Sequence, residues 1–273
     1  MSEYKLIASD LDGTLLDGVA RVSEGNLIAI KKITGMGGIF VPSTGRALAE
    51  IPKELLDLPE VRYIIYANGA SVIDRATGER IEACIEGEKL TAVLNVLSRY
   101  DTHIAVRYKG ATYIDKNKNT KEDYTAYDLC AEHVRVISSY GVELGNFNEW
   151  INSITSAEVV TVFLPDGEST ERARAELLAI GGIATASVAY NNLEVMNEGA
   201  GKGNALLALT KKLGVPVSRV IAVGDSGNDL TSMRVSGLAL AVSNATDAVK
   251  AEADAVICSN EEDVADYILK NYF

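Results

Sequence analysis

The 273-residue sequence predicts an α/β fold, a doubly wound parallel sheet interrupted by an inserted α+β domain. Three observations predict it. Short apolar runs alternate with helix-length amphipathic stretches from residue 5 to residue 67. Near Cys84 this gives way to hairpin-like segments, and after residue 191 the alternation resumes. The core is therefore expected to be discontinuous, residues 1–84 and 191–273, with the inserted domain at 85–190.

Residues 5–9 read as a buried strand, and Asp10-Leu11-Asp12-Gly13-Thr14 follows it. Ser23 can cap a helix from about Glu24 to Met36, with Leu27, Ile30 and Ile33 on one side and Gly37-Gly38 ending it. Ile39-Phe40-Val41 is a second strand running into Ser43-Thr44-Gly45-Arg46, after which a helix-like stretch begins near Ala47. Tyr63 to Ala67 is a third strand, closed by the turn Asn68-Gly69. Within the insertion, a helix-like segment from Glu88 to Tyr100 precedes two apolar runs, 104–108 and 111–114, joined by Lys109-Gly110. A strand at Val159–Leu164, an amphipathic helix from Ser169 to Ile180 and alternating segments through Tyr190 complete it. The final part holds a helix from Asn204 to Leu213 and strands at Val220–Val223, Leu238–Val242 and Ala255–Ile257.

Composition excludes several classes. A formal net charge of -12, with no dense Lys/Arg cluster, argues against a nucleic-acid binder; Lys116, Lys118 and Lys121 come nearest and are flanked by acids. No stretch approaches the roughly 20 apolar residues that span a bilayer. Met1 to Lys5 lacks a basic region followed by a long apolar segment, so no signal peptide is expected. Cys84, Cys130 and Cys258 are odd in number and widely spaced, which fits reduced thiols and a cytoplasmic protein.

The chemistry is concentrated at strand ends. Residues i and i+2 of a strand share a face, so Asp10 and Asp12 should project together where the first strand stops. In open α/β sheets that edge binds ligands. Thr44 and Gly45 offer a hydroxyl and backbone N–H groups suited to an anion at a helix N-terminus. Lys202 lies in Gly199-Ala200-Gly201-Lys202-Gly203, which is no Walker loop because Gly203 stands where Ser or Thr is needed. Taken alone, a lysine before a helix is usually solvated. Gly224-Asp225-Ser226-Gly227-Asn228-Asp229 follows a fully apolar strand and is poorly explained as a plain loop. Asp10, Asp12, Asp225 and Asp229 converging on one Lys202 would repel one another, by roughly 4 kcal/mol per pair at ~4 Å and an effective dielectric near 20. A divalent cation relieves that repulsion, and all-oxygen donors without His or Cys favour Mg²⁺.

Together these segments resemble the haloacid dehalogenase superfamily, and more narrowly its Cof-type phosphatases, with four motifs in family order and the insertion where that subgroup carries its cap. The one departure is Met233-Arg234-Val235-Ser236-Gly237, where the family usually has a more apolar helix start. The resemblance implies a Rossmann-like core, a cap domain and Mg²⁺-dependent hydrolysis of a small phosphorylated metabolite, a sugar phosphate before pyridoxal or flavin-related phosphates. It implies Asp10 as nucleophile forming an aspartyl-phosphate, and Asp12 as general acid and base. Leu11, Thr44, Gly45, Lys202 and Asn228 would hold the phosphoryl oxygens. Asp10, the carbonyl of Asp12, Asp225 and Ser226 would hold the metal, while Asp229 would support Lys202 or a water on the metal. Arg46 would meet cap or substrate. Arg107, Tyr113, Asn152 and Glu194 are candidates for the cap lining from position alone.

Two other classes compete. A serine esterase could use Ser226, but Gly-x-Ser-x-Gly fails at Asn228, and the only histidines, His103 and His133, lie in the insertion. A phosphate-sensing protein could use a phosphorylatable Asp with Mg²⁺, but it would need neither Asp12 nor a cap. The sequence is silent on oligomeric state.

Overall fold

The computed structural model describes residues 4–187 and 189–273. Residues 1–3, in the stretch read as lacking a leader, and residue 188, in the alternating segments before Tyr190, lie outside them. The chain forms two compact units, one made of residues 1–46, 51–82 and 201–273, the other of 47–50 and 83–200.

Among the described residues, the first unit has a five-stranded parallel sheet in the spatial order Ala255–Val256, Leu238–Ala241, Val220–Gly224, Leu6–Ser9, Ile39–Pro42. Leu6, Ile7 and Ala8 are buried, as an interior strand of a sheet covered on both faces must be. Neighbours are in register, Ser9 beside Val223 on one side and Pro42 on the other, so the chain leaves all three strands at one edge. The helix Glu24–Gly35 starts where expected, because Ser23 Oγ accepts the Asn26 N–H at 3.1 Å, a cap contributing about 1 kcal/mol.

Two expectations need correction here. The helix-like stretch near Ala47 is only a three-residue turn, Leu48–Glu50, and a four-residue helix, Lys53–Leu56. Pro52 separates them, since proline keeps the residue before it out of helical conformation. The third strand, Tyr63–Tyr66, touches the parallel sheet through one bridge, Ser43 with Ile65, and otherwise pairs antiparallel with Ser71–Asp74. That strand pairs in turn with Arg80–Glu82. Ala67, Asn68 and Gly69 make the reversal with φ of 50°, 55° and 82°, a left-handed run that Asn and Gly tolerate best.

Among the described residues, the second unit holds a six-stranded sheet in the order 183–186, 192–197, 159–163, 103–108, 111–115, 142–144. Strand alternation divides its faces. Val106, Val160, Val162, Leu193 and Val195 pack with the helices Gly87–Leu97 and Gly167–Leu178, whereas Ala105, Ile114 and Phe163 pack with Tyr127, Leu129 and Ile137. The sequence boundary at 190/191 falls inside this unit, because Asn192–Asn197 pairs with the strands on both sides of it. Residues 47–50 also belong here. Ala49 N–H donates to Gly110 C=O at 2.9 Å, and Thr112 Oγ1 donates to the buried Glu50 carboxylate at 2.5 Å. Among the described residues, no helix is long and apolar enough to cross a membrane.

Candidate active site

The chain leaves the strand Leu6–Ser9 into a wide turn, Leu11–Leu15, closed by the Leu16 N–H donating to Leu11 C=O at 2.9 Å. Its interior is not helical. Asp12 is extended (φ −70°, ψ 124°) and Gly13 left-handed (φ 72°). Only glycine fits at Gly13, because a Cβ there would lie 2.7 Å from Asp225 Oδ2. This close approach carries the loop after the strand Val220–Gly224 up against the turn, and Thr14 Oγ1 donates to Asp225 Oδ1 at 3.3 Å.

Three of the four predicted carboxylates meet. Ligand oxygens of Asp10, Asp225 and Asp229 all lie within 4.8 Å of one another. Lys202 Nζ stands among them, 2.7 Å from Asp10 Oδ1 and 2.7 Å from Asp229 Oδ1. The solvated reading of this lysine fails: its side chain is 1% exposed. Burial opposes its charge, but Asp10 and Asp229 outweigh that and hold the ammonium above its ordinary value. Burial and then Asp229 push the Asp10 carboxyl well above the usual carboxylate range, and burial and Asp229 also raise Asp225. The other oxygen of Asp229 accepts the backbone N–H groups of Asp225 and Ser226, each at 3.1 Å, so Asp229 shapes the loop as well as gripping Lys202. Gly224 makes this possible, since a Cβ on it would stand 2.3 Å from Asp229 Cγ. Gly203, in the glycine-flanked segment, serves packing: a Cβ there would be 2.3 Å from Thr231 O.

Asp12 does not join the cluster. Its carboxylate takes two parallel bonds from Arg46, Nε to Oδ2 at 2.7 Å and a terminal nitrogen to Oδ1 at 2.6 Å. Arg46 therefore meets the acid within the turn. Thr44 and Gly45 stand at the end of the adjacent strand, but no helix N-terminus backs them, which corrects that part of the expectation. The Thr44 hydroxyl accepts the Arg46 N–H at 3.1 Å, and a Cβ at Gly45 would lie 2.8 Å from Asn68 Oδ1. Ser43 Oγ is buried here without a hydrogen-bond partner among the described residues. Ser226 Oγ donates to Asn228 Oδ1 at 2.9 Å, and Asn228 Nδ2 donates to Asn68 Oδ1 at 3.1 Å. The side chain of Leu11 is buried, anchoring the turn from below.

Sequence reasoning missed Asn68, which joins the loops bearing Gly45 and Asn228. Its Asn-Gly dipeptide was legible as a turn, but nothing marked the side chain. Thr14 was visible within its motif, with no sign that it reaches Asp225. Of the residues named for the second unit, Arg107 and Glu194 pair at 3.3 Å, while Tyr113 stacks on Trp150 at 4.6 Å on the opposite sheet face and Asn152 is exposed.

The donor set fits a hard divalent cation. Three carboxylates face one ammonium, with no His or Cys among them, and such a group is least repulsive when oxygen-bound to Mg²⁺.

A profile of the haloacid dehalogenase-like hydrolase family matches residues 7–268. Phosphatase YwpJ of Bacillus subtilis is 28% identical over 98% of this chain and 99% of its own. From the same organism, 5-amino-6-(5-phospho-D-ribitylamino)uracil phosphatase YwtE is 28% identical over 97% of this chain and 96% of its own. A haloacid dehalogenase-like hydrolase structure from Bacteroides thetaiotaomicron superposes with a TM-score of 0.82 at 24% identity, covering 99% of this chain and 100% of that one. The family match spans every residue that builds the acidic edge and its supporting loops, and the chain belongs to the haloacid dehalogenase-like hydrolases.

Proposed function

We propose that this chain is a Mg²⁺-dependent phosphomonoesterase that hydrolyses a small phosphorylated metabolite through an aspartyl-phosphate. The meeting of Asp10, Asp225 and Asp229 around Lys202 carries the reading, because such a cluster suits a phosphate only when a cation offsets its charge.

In this reading Asp10 Oδ attacks phosphorus in line while the bond to the leaving oxygen breaks, which splits one hard displacement into two. Asp12 donates a proton to the departing alkoxide, then takes one from the water that hydrolyses the acyl phosphate. Its pairing with Arg46 holds the carboxylate beside the turn until substrate enters. Lys202, Thr44, Gly45, Asn228 and the Leu11 N–H hold the phosphoryl oxygens, and Asp229 keeps Lys202 aimed at Asp10. Asp10, the Asp12 carbonyl, Asp225 and Ser226 would hold Mg²⁺, which would neutralise charge on the transferring phosphoryl group. Positioning and charge neutralisation supply most of the acceleration in such reactions.

For substrate class, the resemblance to Cof-type phosphatases suggests a sugar phosphate. The name of the 28%-identical YwtE relative describes a phosphate on a ribityl chain, which supports a phosphate ester on a polyhydroxylated carbon skeleton. The esterase alternative gains nothing: the unit that carries Ser226 contains neither histidine. No observation favours the phosphate-sensing alternative.

The test is a panel of phosphorylated metabolites, including p-nitrophenyl phosphate and ribityl and sugar phosphates, incubated with purified protein and Mg²⁺. Turnover that stops with chelator and in Asp10→Asn is expected. Turnover that survives either treatment defeats the proposal.

A further inference from the structure

The wide turn after Asp10 is closed by one backbone bond, Leu16 N–H to Leu11 C=O, and is braced further from outside. With Asp12 and Gly13 outside helical conformation, the carbonyls of Gly13, Leu15 and Leu16 are open to donors from other segments. Three asparagine side chains from elsewhere in the chain take them. Asn26 Nδ2 donates to Leu15 C=O at 3.3 Å, Asn244 Nδ2 to Gly13 C=O at 2.7 Å, and Asn260 Nδ2 to Leu16 C=O at 2.9 Å.

Asn244 and Asn260 are coupled. The Asn260 N–H donates to Asn244 Oδ1 at 3.0 Å, which fixes the amide so that its NH₂ faces Gly13. The Asn244 loop is itself tied down, because the Thr246 N–H donates to Asp225 C=O and the Ser243 N–H to Cys258 C=O. A continuous set of hydrogen bonds thus links the turn bearing Asp12 to the loop bearing Asp225. The Gly13 carbonyl that Asn244 grips belongs to the residue directly after Asp12. Arg46 holds the Asp12 carboxylate and the grip on Gly13 holds its main chain, so both set where the carboxyl can reach.

We infer that Asn244, oriented by Asn260, is a positioning residue for Asp12: its amide sets the geometry from which Asp12 protonates the leaving group. This rests on the acid role of Asp12 proposed above. A neutral hydrogen bond of this kind is worth roughly a tenfold effect, and misplacing a catalytic group by ~1 Å reaches about 10²-fold.

The experiment compares two substrates. p-Nitrophenyl phosphate has a leaving group that departs without a proton, whereas an alkyl or sugar phosphate from the panel needs the acid. Asn244→Asp keeps the shape of the side chain but removes the NH₂ donor, and Asn244→Ala removes the group; Asn244 is exposed, and folding is checked by an unchanged melting curve. Each variant is expected to lose about ten- to a hundredfold in kcat/KM on the alkyl phosphate and less than about threefold on p-nitrophenyl phosphate. Asp12→Ala is run beside them and must show the same selectivity. If Asp12→Ala is selective and the Asn244 variants lose both substrates equally, or neither, the positioning role is overturned. If Asp12→Ala is itself unselective, the acid role fails and takes this inference with it.

Discussion

Lys202 Nζ lies 2.7 Å from Asp10 Oδ1 although 192 positions separate the two residues. The same ammonium is 2.7 Å from Asp229, and all three side chains are buried. One cation therefore keeps two carboxylates in place where water cannot do so. Replacing it with Met should cost roughly 3–5 kcal/mol, because it leaves buried charges facing one another. Turnover of the best panel substrate should fall by about 10²- to 10³-fold. Urea unfolding and steady-state kinetics on Lys202→Met measure both, and an active, stable variant removes Lys202 from the site.

Gly13→Ala is expected to damage the metal site more than the fold. A left-handed alanine costs about 1–2 kcal/mol. The added methyl would also stand 2.7 Å from Asp225 Oδ2, so Asp225 must move. Displacing a carboxylate ligand or its support weakens metal affinity by about ten- to a hundredfold. Calorimetric titration with Mg²⁺ reads this directly, and unchanged affinity would place the cation elsewhere.

Arg46→Lys should not behave as a conservative change. Arg46 binds Asp12 through two parallel bonds, a fork that an ammonium cannot reproduce. Because Asp12 is 42% exposed, the effect is moderated by solvent, and kcat/KM should fall by about three- to tenfold. Kinetics indistinguishable from wild type would mean that the pair is incidental.

His133 makes the second unit acid-sensitive. Its ring packs 4.7 Å from that of Phe163 and 5.9 Å from that of His103, with Nε2 shut off from solvent and unpaired. Burial first, then His103 and Arg107, hold it down to about 3, from an ordinary 6.5. Above pH 6.5 it is neutral folded or unfolded and contributes nothing to the pH dependence. Between 6.5 and 3 the unfolded chain binds the proton and the folded one does not, so stability falls with pH. The slope is up to ~1.4 kcal/mol per pH unit. His133→Phe should flatten it by that amount, leaving a smaller slope from His103, which burial also lowers. Urea unfolding at several pH values between 7 and 4 tests this, and parallel curves for variant and wild type would contradict it.

What the sequence revealed follows from how local each signal is. The two-residue spacing of Asp10 and Asp12, and the polar block Gly224–Asp229 after an apolar strand, are written in neighbouring residues and a parallel sheet brings them to one edge. The burial of Lys202 is not local: it depends on carboxylates 192 and 27 positions away, so the residue reads as an ordinary helix-start lysine. Asn68, Asn244 and Asn260 are harder still, because asparagine in a loop is common turn chemistry and its remote partner leaves no trace nearby. The antiparallel strands at 71–74 and 80–82 escaped because they are three or four residues long and lack clean alternation. The helix expected from Ala47 does not form as one element, because Pro52 divides the stretch into Leu48–Glu50 and Lys53–Leu56.

The four-residue segment 47–50 bears on any attempt at modular redesign. Because it belongs with residues 83–200, the polypeptide crosses between its units at four peptide junctions, not the two that a simple insertion would need. Excising 83–200 to obtain a minimal catalytic body would strand the Glu50 carboxylate without Thr112, and Ala49 without Gly110. A workable truncation must therefore rewrite the stretch immediately following Arg46 as well.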